Sequence, residues 1–312
     1  MPCIPNNKEG NMPRSPGKDI AEIFGHNPDD LSETARSLWS VNACPFIEGP
    51  CTKTNHDKSI IYGVCSVRNL NGDEVIVCPN RLYADNYSVI RSVSHDAFGS
   101  EVDFCTYREY VRRRQIRGPV VVALGTKSGR EVGLGKTLSI DWVLALLEDG
   151  QLTDYAGLEI QSMDITGNYR ANWAAYRDLP GLTAKHIPPS DHGINWANVH
   201  KRLIPQLIRK GSVFAKSNIC TKGLYFVLPE IVYQKFEDVV GHVDECPHVA
   251  NDVLSVHTYA IGPNVPHGHI RPLSHIRSAR FLLKDFSAGF VRGPNLPSGQ
   301  ELDEAVMKVL SI

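Results

Sequence analysis

The sequence has few of the features that would place it in a membrane or among disordered chains. No apolar run in its 312 residues approaches the roughly 20 needed to span a bilayer. Its first residues, MPCIPNNKEGNMPRSPGKD, lack the apolar stretch of a signal peptide. Apolar residues make up 42% and charged residues 21%, so the composition is that of a globular protein. We therefore expect a folded, cytoplasmic protein with no membrane partner.

The sequence also lacks an excess of positive charge. A net charge of −1 argues at first against nucleic acid, because neutralising phosphates favours a basic protein. Three stretches are nevertheless locally basic: 108–117 has five Arg and one Glu, while 200–216 and 269–284 contain Lys and Arg but no acid. Such runs are usually solvated surfaces, but together they indicate contacts with DNA phosphates or guanine edges. The candidate DNA-binding residues are Arg112, Arg113, Lys201, Arg202, Arg271, Arg277 and Arg280.

Composition divides the chain into three parts. Residues 1–25 are rich in Pro, Asn and Gly and are interpreted as a loosely held N-terminal arm. Residues 26–100 combine a helix with short β segments and four cysteines, and residues 101–312 form an α/β unit. In the first helix Asn27 is the predicted cap, because apolar residues recur after it at helical spacing.

Local patterns predict the other elements. The segments KSIIYGVCSV and GDEVIVCP, joined by NLNGD, are typical of a hairpin. A proline in the last predicted helix, Pro205, is expected to kink it. Predicted helices lie near 84–98, 103–114 and 196–210, and predicted strands at 119–124, 137–147, 155–163 and 223–228.

Four of the eight cysteines lie in the β-rich part, with the pattern Cys44-x6-Cys51-x13-Cys65-x12-Cys78. The hairpin could bring the four thiols together. Four thiolates suit Zn²⁺ or a single iron ion, and such a closed site is structural. The alternative is that they are buried free thiols, which behave as small apolar side chains. Spacing alone does not decide between the two.

Acidic residues in two apolar strands suggest a catalytic centre. Asp141 lies in LSIDWVLAL, and Glu159 lies in AGLEIQSM with Gln161 two residues later on the same face. A buried charge is costly unless it is paired or binds a metal, and carboxylates are the ligands that Mg²⁺ prefers. Glu131 and Asp164 are nearby acids that could assist.

These motifs resemble those of the NotI-type restriction endonucleases, which belong to the PD-(D/E)xK nuclease superfamily. The resemblance covers roughly residues 40 to 290 and rests on the four cysteines, on DWVLALL followed by LEIQSMDITGNY, and on the later segments NVHKRLIPQLIRKG and GLYFVLPEIVY. It implies a restriction-endonuclease-like α/β core, with a mixed central sheet flanked by helices and a small β-rich metal module.

The resemblance also implies a function for the candidate residues. Asp141 and Glu159 would bind catalytic Mg²⁺, and the cysteines would hold structural iron or zinc. Glu131 is a further catalytic candidate because it is a nearby acid, and not because of the resemblance. Gln161 stands where most of the superfamily has Lys, and it would orient water or phosphate by hydrogen bonding. The implied protein is a homodimeric type II restriction endonuclease that cleaves double-stranded DNA at a GC-rich palindrome containing GGCCG and leaves 5′-phosphate ends.

Two other functions remain open from the sequence. One is a metal-stapled, sequence-specific DNA-binding regulator without catalysis, in which Asp141 and Glu159 are structural. The weaker one is an HNH-type nuclease that uses the cluster of His267, His269 and His275.

Overall fold

A computed structural model describes residues 19–47, 49–113, 118–128, 130, 132–134, 138–178, 187–294 and 296–310. Glu131, one of the candidate catalytic residues, lies outside these ranges, as do residues 1–18 of the predicted arm. A search of the described helices finds none with the length and apolar character needed to cross a membrane.

A mixed sheet forms the centre of the described structure. It has seven strands in the order β14-β13-β12-β9-β8-β5-β4. The β9-β12, β12-β13 and β4-β5 pairs are parallel and the others antiparallel. The predicted mixed α/β architecture is therefore confirmed. The strands span β4 Asp103–Thr106, β5 Val120–Gly125, β8 Trp142–Glu148, β9 Gln151–Ile160, β12 Leu224–Pro229, β13 Val253–Ile261 and β14 Leu273–Leu282.

Helices cover both faces of this sheet. Neighbouring residues of β13 show this, because Thr258 bonds to Glu230 at the start of α6 while His257 bonds to Asp96 of α2. Adjacent side chains of a strand point to opposite faces, so α2 and α6 lie on opposite sides. The helices span α1 Glu33–Val41, α2 Ala84–Phe98, α3 Tyr107–Arg112, α4 Arg170–Asp178, α5 Ile204–Phe214, α6 Glu230–Val240, α7 Leu283–Arg292 and α8 Gly299–Leu310.

Smaller sheets surround the core. The predicted hairpin is present as β2 (Val64–Arg68) and β3 (Glu74–Ile76), and β1 (Ile20–Ile23) adds to it antiparallel. Residues 20–23 belong to the predicted arm, but all four are buried. Their side chains are apolar except for Glu22, which is why they join the core. Two short ribbons pair β6 (Val132–Leu134) with β7 (Leu138–Ile140) and β10 (Ile165–Thr166) with β11 (Gly193–Ile194).

Several predicted boundaries shift for local reasons. Helix α1 begins after Ser32, whose hydroxyl accepts the Ala35 N–H, and not after Asn27. The predicted helix 103–114 is instead strand β4 followed by the short α3. Thr106 and Glu109 form a capping box that starts that helix.

Two other predicted elements are interrupted. The predicted strand 137–147 is broken by a bend at Asp141, which separates β7 from β8. The predicted helix 196–210 begins with a π-helical turn, Val199–Leu203, that runs into α5. Pro205 stands in the first turn of α5, where its missing N–H is tolerated.

Candidate active site

The two candidate carboxylates lie close together at the end of the β8-β9 pair. Asp141 lies at the bend before β8, and Glu159 is the second-last residue of β9. Asp141 Oδ2 accepts the Ile160 N–H at 3.0 Å, and the Asp141 N–H lies 3.4 Å from Glu159 Oε1. This exchange holds the two carboxylates side by side at one end of the sheet. The structure thus brings together two residues that are 18 positions apart.

The neighbourhood of Glu159 is electrostatically unfavourable for a lone carboxylate. Glu159 is only 9% exposed. Burial raises its pKa to about 7, the negative charge of Asp141 adds to this rise, and Lys210 opposes it. A positive charge beside Glu159 would offset both the cost of burying its carboxylate and the repulsion from Asp141.

Lys210 of α5 supplies such a charge and was missed among the sequence candidates. Its Nζ lies 2.6 Å from Glu159 Oε2. The sequence does contain a signal, because Leu203, Leu207, Lys210 and Phe214 recur at helical spacing and the lysine occupies a position on the apolar face. The basic stretch 200–216 as a whole is typical of a solvated surface that contacts DNA, and this composition hides the one lysine that faces the core.

Gln161 lies just beyond the end of β9. Its backbone N–H donates to Val227 O at 2.9 Å, so it continues the pairing with β12. Its side-chain amide donates to Ser162 O at 2.8 Å. The nearby acid Asp164 accepts a hydrogen bond from the Asn198 side chain at 2.9 Å and is exposed.

The four cysteines of the β-rich part are buried free thiols. Burial raises the pKa of Cys65, and the neighbouring Cys78 adds to the rise. Burial likewise raises the pKa of Cys78 to about 11, with smaller contributions from Cys51 and Cys44. The thiols are therefore near one another, yet no group of three or more His, Cys, Asp or Glu among the described residues is arranged to hold a metal ion. Structural iron or zinc is not supported by this geometry.

The three candidate arginines of the 269–284 stretch are each paired with acids. Arg271 is only 4% exposed and binds Glu74 through both terminal nitrogens. Arg277 pairs with Glu230 and Glu237, and Arg280 pairs with Asp96. Burial favours a structural role for Arg271, and DNA contacts by these three residues stay predictions.

The other basic candidates lie at the surface. Lys201, Arg202, Arg112 and Arg113 are exposed, and Arg113 pairs with Asp103. Their exposure is compatible with the predicted phosphate contacts.

The histidine cluster is spread over the connection between β13 and β14 and the start of β14. His267 is 56% exposed and lies 4.0 Å from Asp30, while His275 bonds to Ser278 at 3.0 Å. His269 is exposed. The metal-ligand search over the described residues does not group these histidines either.

A mixed sheet flanked by helices, with two carboxylates held side by side where β9 ends and β8 begins, is consistent with a nuclease. A family model described as "Restriction endonuclease NotI" matches residues 31–264, which is 234 of the 312 residues. The chain belongs to this family of restriction endonucleases. It is therefore a site-specific deoxyribonuclease, and its substrate is double-stranded DNA. A search of curated proteins found no match.

Proposed function

We propose that the protein is a type II restriction endonuclease that requires Mg²⁺ and cleaves both strands of a GC-rich palindrome, leaving 5′-phosphate ends. The observation that carries this proposal is the contact between Asp141 and Glu159, which lies inside the segment that matches the family. The same contact supports assignment of the core to the PD-(D/E)xK superfamily.

The residues at this site fit a magnesium ion. Mg²⁺ is usually bound through one or two carboxylates together with substrate phosphates and water, so a group of three protein ligands is not required. Asp141 and Glu159 would hold it. When bound, the ion polarises the phosphate and lowers the pKa of a bound water. The protein keeps the two carboxylates adjacent through the backbone of Ile160 and Asp141.

Gln161 is proposed to orient water or a phosphate oxygen through its neutral amide. An amide cannot act as a base or supply positive charge, so its contribution is limited to hydrogen bonds. Its present bond to Ser162 O would have to be exchanged for one to the substrate.

The proposed palindromic site calls for a homodimer. A two-fold assembly reads the same sequence on both strands and places one cleavage site on each. The exposed basic side chains of Arg112, Arg113, Lys201 and Arg202 are proposed to contact phosphates.

Structural iron or zinc at Cys44, Cys51, Cys65 and Cys78 is a separate proposal. Its support is the sequence resemblance and the burial of all four thiols in one module. Metal analysis of the purified protein tests it directly. About one iron or zinc ion per chain is expected for a closed four-thiolate site, and metal-free protein with a normal unfolding transition would reject it.

Digestion of supercoiled plasmid tests the catalytic proposal. With Mg²⁺ the wild-type protein should give discrete fragments, and EDTA should abolish them. Asp141→Ala should bind the plasmid without cutting it, because it removes one of the two carboxylates. If the wild-type protein binds specific DNA but leaves the plasmid intact, the chain is instead a DNA-binding regulator.

A further inference from the structure

A buried lysine on α5, Lys210, forms an ion pair with the candidate catalytic residue Glu159. Lys210 is 9% exposed, and its ammonium lies 2.6 Å from Glu159 Oε2. Removing a lysine from water is costly unless its charge is compensated, so a surface role does not explain this position. Among the ion pairs of the described residues, Glu159 pairs with Lys210 alone.

Close packing between α5 and β9 fixes this lysine. Gly157 and Glu159 lie on the same face of β9, and Phe214 and Lys210 lie one turn apart on α5. A Cβ added at Gly157 would lie 2.2 Å from Phe214 Cζ. The absent side chain thus lets the helix approach the sheet, and the next contact along both elements is Lys210 with Glu159.

A second glycine, Gly211 of α5, lets α7 approach the same helix closely. A Cβ at Gly211 would lie 2.8 Å from Leu283 Cδ1 at the start of α7. The helix therefore packs closely against β9 at Gly157 and against α7 at Gly211, and Gly211 is next to Lys210 in the chain. This degree of constraint is what a precisely oriented ammonium group requires.

Gln161, the third residue of the motif formed with Asp141 and Glu159, supplies no positive charge to the site. Gln161 is neutral, and its amide donates to Ser162 O. Asp141, Glu159 and a DNA phosphate would together concentrate negative charge in a site where Glu159 is almost fully buried. Lys210 reaches the same carboxylate from a helix.

We infer that Lys210 is a catalytic residue that supplies the positive charge of the cleavage site. One N–H of its ammonium fixes the Glu159 carboxylate, and the others are donors for an oxygen of the scissile phosphate. This inference rests on the proposed nuclease function and names a residue that acts in it.

The test compares three variants in single-turnover cleavage of plasmid DNA at saturating Mg²⁺. Lys210→Met keeps the length of the side chain and removes the charge, and Lys210→Arg keeps the charge. Arg209→Met is the matched control, because it removes a charge from the exposed side of the same helix.

We expect Lys210→Met to lower the cleavage rate about 100-fold, as for loss of one donor to a reacting group. Lys210→Arg should recover about 10-fold of that loss, because the charge is restored but the geometry differs. Arg209→Met should stay within about threefold of wild type. The melting temperature and metal-free DNA binding of Lys210→Met should remain close to those of the control.

Two results would overturn the inference. If Lys210 only replaces an absent cation, Lys210→Met will cut at the wild-type rate and need less Mg²⁺. If the lysine is only structural, Lys210→Met and Lys210→Arg will lose stability and activity in parallel. Lys210→Gln, which keeps a hydrogen-bond donor, replaces Lys210→Met if that variant does not fold. The cleavage rate of Lys210→Gln should then be at least about 10-fold below that of the wild type. A wild-type cleavage rate would reject the catalytic role of Lys210.

The outcome for the parent proposal is separate. A wild-type protein that fails to cut DNA refutes the nuclease mechanism itself. A wild-type protein that cuts, together with a Lys210→Met variant that cuts as well as Arg209→Met, refutes only the role of Lys210.

Discussion

Two like charges are held together at the centre of the site, and this repulsion has a cost in the metal-free protein. Burial, and after it the charge of Asp141, raise the pKa of Glu159 to about 7, although Lys210 opposes the rise. An acid whose pKa is higher in the folded state destabilises the fold above its unfolded pKa, and this penalty grows as the pH rises towards 7. Without a metal ion, this electrostatic penalty is therefore largest at neutral pH and above, and Lys210 offsets only part of it.

Asp141→Asn should accordingly abolish cleavage and still stabilise the metal-free protein. Removal of the like charge lowers the pKa of Glu159, with a gain on the order of 1 kcal/mol at pH 8. Urea unfolding in EDTA measures this gain, which should shrink at pH 5 as Glu159 becomes protonated. A less stable variant at pH 8 would contradict the expected repulsion.

A partly buried carboxylate, that of Asp96, stabilises the fold in the opposite way. Burial would raise the pKa of Asp96, but hydrogen bonds and charges from His257 and Arg280 outweigh it and lower the pKa to about 2. Such a group stabilises the fold above its unfolded pKa, and this stability is lost as the pH falls from about 4 towards 2.

Asp96→Asn should therefore cost about 2 kcal/mol at pH 7. The free energy of unfolding in urea measures the loss, which should largely vanish near pH 2 if the protein remains folded there. Asp244→Asn is the control, since this carboxylate is fully exposed and its loss should leave the free energy of unfolding unchanged within error. Equal effects of the two substitutions would contradict the role of the Asp96 cluster.

The sequence predicted the carboxylates of the site but not their cationic partner. Asp141 and Glu159 stand out because charged residues are rare in apolar strands. Lys210 does not, because a lysine in a basic helix is usually solvated. Its contact with Glu159 depends on how α5 lies on β9, which no local pattern contains.

At the scale of elements, the close approach of α5 to β9 depends on the absence of a side chain at Gly157. Gly157→Ala would place a Cβ against the Phe214 ring. Overpacking of this kind costs about 1–3 kcal/mol and should displace α5 together with Lys210. We expect a lower free energy of unfolding and a cleavage rate that falls further than stability alone explains.

Gly133→Ala is the control for stability, because this glycine also lies in a strand and nothing lies within 4 Å of the added Cβ. Its free energy of unfolding should equal or exceed that of the wild type. Rescue of Gly157→Ala by Phe214→Leu, in both stability and cleavage, would identify the helix position as the cause. If the double variant regains stability but not cleavage, the packing of α5 on β9 does not control the cleavage site.

Elements were predictable where apolar patterns are continuous. Strands β5 and β12 are buried over most of their length and were found as apolar runs. Strand β13 was missed because Ser255 and His257 interrupt its apolar pattern, although both are buried in the structure. The helix predicted at 103–114 was half wrong because Phe104 and Cys105 pair with β5 instead.

For the whole molecule, a buried polar network joins the β1-β2-β3 sheet to the central core. Arg81 binds Glu22 and donates to the backbone oxygen of Arg271, and Arg271 in turn binds Glu74. Both arginines are almost fully buried. The segment with the four cysteines is thus tied to the connection between β13 and β14.

Arg81→Met should break this network and leave Glu22 buried without its partner. The cost of such an uncompensated charge is about 3–5 kcal/mol. Chemical unfolding followed by both fluorescence and circular dichroism should show one shared transition at lower denaturant. Two separate transitions in the wild-type protein would instead show that the small sheet and the core unfold independently.

The proposed homodimer predicts a distinctive product from mixed subunits. Wild-type chains mixed with excess Asp141→Ala and allowed to exchange should form dimers with one active site. These should cut one strand only, so nicked circles should accumulate in place of linear plasmid. If the mixed dimers give the same ratio of linear plasmid to nicked circles as the wild-type dimer, one subunit cuts both strands.

The distance along the chain between Glu159 and Lys210 has a consequence for the protein's synthesis. A nascent chain that has not passed residue 210 contains both carboxylates but neither the lysine nor β12, which pairs with β9. Its Arg81 also lacks the backbone of Arg271. We expect ribosome-bound or prematurely terminated chains to leave DNA intact, so that the ability to cut the host's own chromosome arises only late in translation.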